Sequence, residues 1–162
     1  MRYKFEIKWG IIFTVLSILW MIFEKWMGWH GPKIAVHAIY TNFFAIVAIS
    51  VYIFAFLDKR KNDKTLKQWK HGFFYGVGIA IVVAVLSPLS QWITSFAISP
   101  NYFSNAIANA VEQGKLNRQQ AEDYFNLKNY LIQGFVGALV MGTITSAIIA
   151  LFVRKKHPEY LG

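Results

Sequence analysis

The sequence predicts an all-α integral membrane protein: a four-helix bundle with an extracytoplasmic helical hairpin between the third and fourth spans. Two observations carry that prediction. Of the 162 residues, 56% are apolar and 17% aromatic, more than a soluble domain ordinarily carries. Three runs, 34–57, 72–98 and 129–153, contain no Asp, Glu, Lys or Arg, and each exceeds the roughly 20 residues a helix needs to cross the hydrocarbon core. The charged residues are confined to short blocks around these runs, so the chain reads as a single membrane domain, 1–162.

The first span, 8–27, is the shortest apolar run. It reaches bilayer length because Lys8 can extend to the headgroups at one end while Trp26 and Trp29 sit at the opposite interface. Its basic start resembles a signal peptide, but no small-x-small cleavage site follows Phe23, so the segment is expected to remain as an anchor. The second span is 34–57. The third, 72–98, contains Pro88, which removes a helix hydrogen bond and is expected to kink it. The fourth is 129–153, where Ile149 is assigned to the lipid face.

Between the last two spans, 99–128 is expected to form the hairpin. Ser99-Pro100 reads as an N-cap with proline at the first helical position. Tyr102, Phe103, Ala106, Ile107, Ala110 and Val111 share one face, and Gly114 suits a left-handed helix stop. Asn117 with Gln120 reads as a capping box opening the second arm.

Lys and Arg assign the orientation. Arg2, Lys4, Lys8, Lys59, Arg60, Lys61, Lys64, Lys67, Lys70, Arg154, Lys155 and Lys156 fall on one side of the spans, and only Lys25, Lys33, Lys115, Arg118 and Lys128 on the other. By the positive-inside rule both termini and the middle loop are cytoplasmic. The net charge of +9 is accounted for by this bias and by anionic headgroups, and no nucleic-acid partner is expected. The absence of cysteine excludes disulfides, thiolate catalysis and Cys-ligated metals. No phosphate loop, nucleophile elbow or His-Glu-x-x-His motif occurs, so nothing points to an enzyme.

Two groups of residues stand out inside the spans. Small residues recur every fourth position: Gly72, Gly76, Ala80 and Ala84 on the third span, and Gly134, Ala138, Gly142, Ser146 and Ala150 on the fourth. Such ridges let backbones approach where lipid supplies no hydrophobic force. Because the ridge precesses, about three consecutive members of each can face one partner. Polar residues gather at the outer ends: Glu24 on a face with Gly10, Thr14, Ser17 and Met21, then His37, Asn42, Gln133 and the Ser/Thr/Gln stretch after Pro88. Ionisable residues within a span are candidate functional sites, and Glu24 with His37 and Gln91 is the expected ligand- or ion-binding cluster. Glu24, His30 and His37 are also the one set whose chemistry suits zinc or iron. Their spacing matches no ligand motif and His30 falls in a loop, so neither metal nor cofactor is expected.

Several segments carry a resemblance: Ile18-Leu19-Trp20 leading to Glu24 and Gly28-Trp29-His30; Ile98-Ser99-Pro100-Asn101-Tyr102-Phe103; Ala121-Glu122-Asp123-Tyr124-Phe125-Asn126-Leu127-Lys128; and Gly137-Ala138-Leu139-Val140-Met141-Gly142-Thr143-Ile144-Thr145-Ser146-Ala147. Over nearly its full length the chain resembles the domain of unknown function 4199 family, small multi-pass membrane proteins of Bacteroidetes-type bacteria. The resemblance implies a bacterial cytoplasmic (inner) membrane location and brings no activity, ligand or catalytic residue. The expected function is that of a non-catalytic membrane module whose hairpin contacts a partner protein, lipid or envelope component, with a homo-oligomer through the small-residue ridges as a further possibility. The alternative is a small cation- or proton-coupled carrier or channel using Glu24 and the outer polar cluster. Aliphatic inner halves of the third and fourth spans weigh against the alternative.

Overall fold

A computed structural model describes residues 3–62 and 68–153. The basic residues Arg2, Lys64, Lys67 and Arg154 to Lys156 lie outside the described residues. Within them the chain is helical with no strand, and four helical segments are long and apolar enough to cross a membrane: Lys4–Trp26, Ile34–Asn62, Trp69–Ile98 and Leu127–Phe152.

Helix α1 (Lys4–Trp26) starts earlier than its uncharged run and carries Glu6 turned inward, where its Cγ would lie 2.9 Å from a Cβ on Gly78. The second span does not begin as a regular helix. A 3-10 turn (Ile34–Val36), the one-turn helix α2 (His37–Tyr40) and a second 3-10 turn (Thr41–Phe43) lead into α3 (Phe44–Asn62). Helix α3 runs past the apolar stretch to include Asp58, whose Oδ2 accepts from Lys8 Nζ at 2.7 Å and from Trp9 Nε1 at 2.8 Å. These two bonds tie the start of the first span to the end of the second.

Helix α4 (Trp69–Ile93) is the central element, packed against both α1 and α7 (Leu127–Val153). Pro88 is accommodated within the continuous α4; the change of geometry comes later, in a π-helical turn at Thr94–Ile98. The small-residue ridges of α4 and α7 run antiparallel. A Cβ on Gly72 would meet Ala150 Cβ at 3.1 Å, one on Gly76 would run into Ser146, and one on Gly142 would lie 2.5 Å from Ala80 Cβ and 2.6 Å from the Tyr52 hydroxyl. Further along, Gly134 has only ordinary contact with Ser87, at 3.7 Å. Ser146 turns its hydroxyl back to the Gly142 carbonyl, satisfying the buried polar group without a partner helix. Ala138 packs at the edge of the core formed by Tyr52, Ala55, Phe56, Tyr75, Ile79, Val83, Ile149 and Ala150.

Ile149 therefore belongs to the core and not to the lipid face. The outward surface is instead drawn by residues such as Val140, Ile144, Ile148 and Leu151 on α7 and Ile11, Val15 and Leu19 on α1, all exposed. Continuous apolar exposure of this extent suits contact with lipid, not water.

Two short helices follow the third span: α5 (Tyr102–Glu112) and α6 (Arg118–Tyr124). Gly114 has φ +64° and closes α5, while Asn117 and Gln120 exchange both bonds of a capping box at the start of α6. The expectation for Ser99 fails. The cap position of α5 is Asn101, with no side-chain cap bond, because the Ser99 hydroxyl is engaged elsewhere, with His30.

Candidate functional site

At the hairpin end of the bundle Glu24 occupies the last turn of α1, fully buried at 0% exposure. A carboxylate withdrawn from water must have its oxygens bonded, and three side chains from three chain segments do so. Trp20, one turn back on the same helix, donates its indole N–H to Oε1 at 2.7 Å. His30 Nε2 lies 3.1 Å and His37 Nε2 3.3 Å from Oε2. The two histidines arrive from different places. His30 sits in the tight connection after Gly28, whose φ of +81° lets the chain reverse with Lys33 N–H bonded to the Gly28 carbonyl. His37 opens α2.

Each imidazole is oriented through its other nitrogen. His30 Nδ1 is 2.7 Å from Ser99 Oγ, and His37 Nδ1 is 3.3 Å from Tyr102 Oη, which lies 3.1 Å from Tyr130 Oη. Asn105 on α5 donates to the His30 carbonyl at 2.8 Å. Burial, with Tyr130 beside it, raises the pKa of the Tyr102 phenol above its ordinary value, so at neutral pH it keeps its proton and remains a donor. The rings of His30, His37 and Tyr102 pack edge to face with centroids 5.1–5.3 Å apart.

Beside this cluster opens a cavity of about 730 Å³. Its lining includes His30, His37 and Tyr102 together with Asn42, Gln91, Thr94, Ser95, Asn109, Lys115 and Gln133. The short helices α5 and α6 and the long apolar helices thus contribute jointly to one chamber.

Glu24 and His37, paired in the sequence reading, are in contact. Gln91 lines the chamber, but its amide donates to Ser95 Oγ at 3.1 Å, and among the described residues no hydrogen bond joins it to Glu24. His30, set aside in that reading for lying in a loop, is the most enclosed histidine among the described residues, at 5% exposure. Ser99 and Tyr102 carried no functional signal in the sequence, where they read as a cap and an apolar-face residue.

No curated protein and no solved structure matches the chain. Residues 8–155 match the family described as "Protein of unknown function (DUF4199)", a stretch that takes in Glu24, His30 and His37 and all of the four apolar helices but the first turn of α1. On that match the chain belongs to the DUF4199 family.

Proposed function

We propose that the protein is a non-catalytic module of the bacterial inner membrane that binds a small polar or cationic ligand in a chamber open to the outer side. The observation that carries this reading is the fully buried Glu24, held by two histidines at the wall of a cavity. Burying a carboxylate in a spanning helix costs at least a few kcal/mol unless it is paired, and a fold that needed only stability would place an apolar residue there. The Lys and Arg bias supports cytoplasmic termini and an outward hairpin.

A carrier or channel would need polar groups through the bundle. Phe56, Ile79, Ala80 and Ala84 fill the interior between chamber and terminal end, each at 0–1% exposure, which favours binding over passage.

Because the chain has no native cysteine, single-cysteine labelling tests the reading. Gln133 lies six residues into α7, about 9 Å along its axis, yet borders the chamber. A membrane-impermeant thiol reagent added to spheroplasts is expected to modify Gln133→Cys and Asn109→Cys but not the neighbouring, lipid-facing Ile132→Cys. Labelling of the first two only after the cytoplasmic membrane is opened would refute an outward chamber.

A further inference from the structure

We infer that Glu24, His30 and His37 form a binding site for a divalent transition-metal ion of the zinc class, with one coordination position facing the chamber. The inference deepens, and rests on, the reading of that chamber as a binding site.

The first argument is convergence. One ligand atom from each of the three residues lies within 4.8 Å of the others, and both Nε2 atoms approach the same carboxylate oxygen, at 3.1 and 3.3 Å. Bonds of about 2.0–2.1 Å to a tetrahedral ion place neighbouring ligand atoms about 3.3 Å apart. Charge-assisted N–H···O⁻ bonds settle nearer 2.7–2.9 Å. Two of the three edges, those from Glu24 to each histidine, thus already have the spacing of ligand edges.

The second argument is the outer shell. Metal-bound imidazoles are held by a bond at the other ring nitrogen, and both histidines have one, to a hydroxyl. A hydroxyl can give or accept. Without metal, each Nε2–H donates to Glu24 while Ser99 and Tyr102 donate to the Nδ1 atoms. With metal, each ring shifts to the tautomer carrying hydrogen on Nδ1, donates to Ser99 Oγ or Tyr102 Oη, and presents the Nε2 lone pair to the ion. Tyr102 can then pass its own proton toward Tyr130 Oη. A hydroxyl can serve either tautomer, so the network suits both states. Carbonyl or ammonium partners would not.

The donor set selects the ion. Two imidazoles and one carboxylate suit Zn²⁺ and its borderline neighbours, whereas Ca²⁺ wants six to eight oxygens and Mg²⁺ a nearly octahedral oxygen shell. Three protein ligands leave a fourth position, and since His30, His37 and Tyr102 all border the cavity, that position is open to a water or an anionic ligand from the chamber. A divalent ion with one carboxylate leaves a net positive charge there, which favours an anion.

The test uses full-length protein purified in mild detergent without a polyhistidine tag, titrated with Zn²⁺ and, for spectroscopy, Co²⁺. One Zn²⁺ per chain is expected, with the visible absorption of a four-coordinate site on Co²⁺ loading and a rise in melting temperature. His37→Gln should weaken Zn²⁺ by on the order of 100-fold, the upper end of what even outer-shell losses cost, while His71→Gln, remote from the cluster, should bind as the native chain does. Should Glu24→Gln fail to fold, Ser99→Ala provides a second variant: it keeps all three ligands and is expected to lose about tenfold in Zn²⁺ affinity. Absence of stoichiometric Zn²⁺ and Co²⁺ binding by the folded native protein, or binding unchanged in His37→Gln, overturns the metal site. Outside labelling of Gln133→Cys in the same preparation would leave the chamber standing in that case. Metal bound without such labelling would refute the outward chamber and keep the ion.

Discussion

Ser99 shows how much depends on one hydroxyl. It is buried, its N–H closes the π-turn on the Thr94 carbonyl at 2.7 Å, and its Oγ holds His30. Ser99→Ala leaves His30 Nδ1 buried without a partner, a loss of about 1–3 kcal/mol, and should lower the melting temperature of the metal-free protein in detergent. Ser104→Ala, which removes an exposed bond to a backbone carbonyl, should leave the melt unchanged. Equal behaviour of the two variants would mean that the His30 contact contributes nothing. The same residue marks where sequence reading stops. The pairing of Glu24 with His37 was legible because both lie at the same end of adjacent spans. The arrival of Ser99 at His30 was not, because it depends on a π-turn that no periodicity announces and that carries the chain beyond Gln91 before it turns toward the cluster.

At the scale of elements, the decisive contact is between α4 and α7. The ridges were visible as spacing-four patterns, but a pattern does not say which ridge members touch. Their antiparallel alignment does: Gly72 to Ala150, Gly76 to Ser146 and Ala80 to Gly142, before the helices diverge toward Ser87 and Gly134. The α3 side chains Phe56 and Tyr52 close over the same line, which leaves no room for side-chain growth. Gly142→Leu should therefore cost about 1–3 kcal/mol or more through overpacking, read as a lower melting temperature, while Ile148→Leu on the exposed face should have little effect. The end of α5 and the start of α6 were legible from Gly114 and from Asn117 with Gln120, whose roles are local. The placing of Ile149 on the lipid face was wrong because its seat in a core shared with α3 and α4 residues is not contained in the pattern of one helix.

For the whole molecule, the two ends of the bundle are built differently. The terminal end is clamped by Lys8 and Trp9 on Asp58 and by Trp69 Nε1 on the Ala147 carbonyl at 3.1 Å, over an apolar core. The opposite end is hydrogen-bonded around a cavity. Four helices long and apolar enough to cross a membrane followed directly from composition, since the length and charge of each run decide whether it can cross. The chamber did not, because its walls come from five separate stretches of chain.

The broken start of the second span has a kinetic consequence. Between Ile34 and Phe43 the backbone changes geometry three times within ten residues, and none of its short elements contributes a buried residue. Segments of that kind open locally at little cost, well before the global transition. Amide hydrogens of 37–43 should accordingly exchange with deuterium orders of magnitude faster than those of Tyr75 to Ala84, a contrast that mass spectrometry on pepsin fragments would resolve. Since His37 rides on the segment that opens, the on-rate of anything captured with Glu24 and His30 would be gated by this fraying, and capture should in turn slow the exchange. The long helices need not move at all.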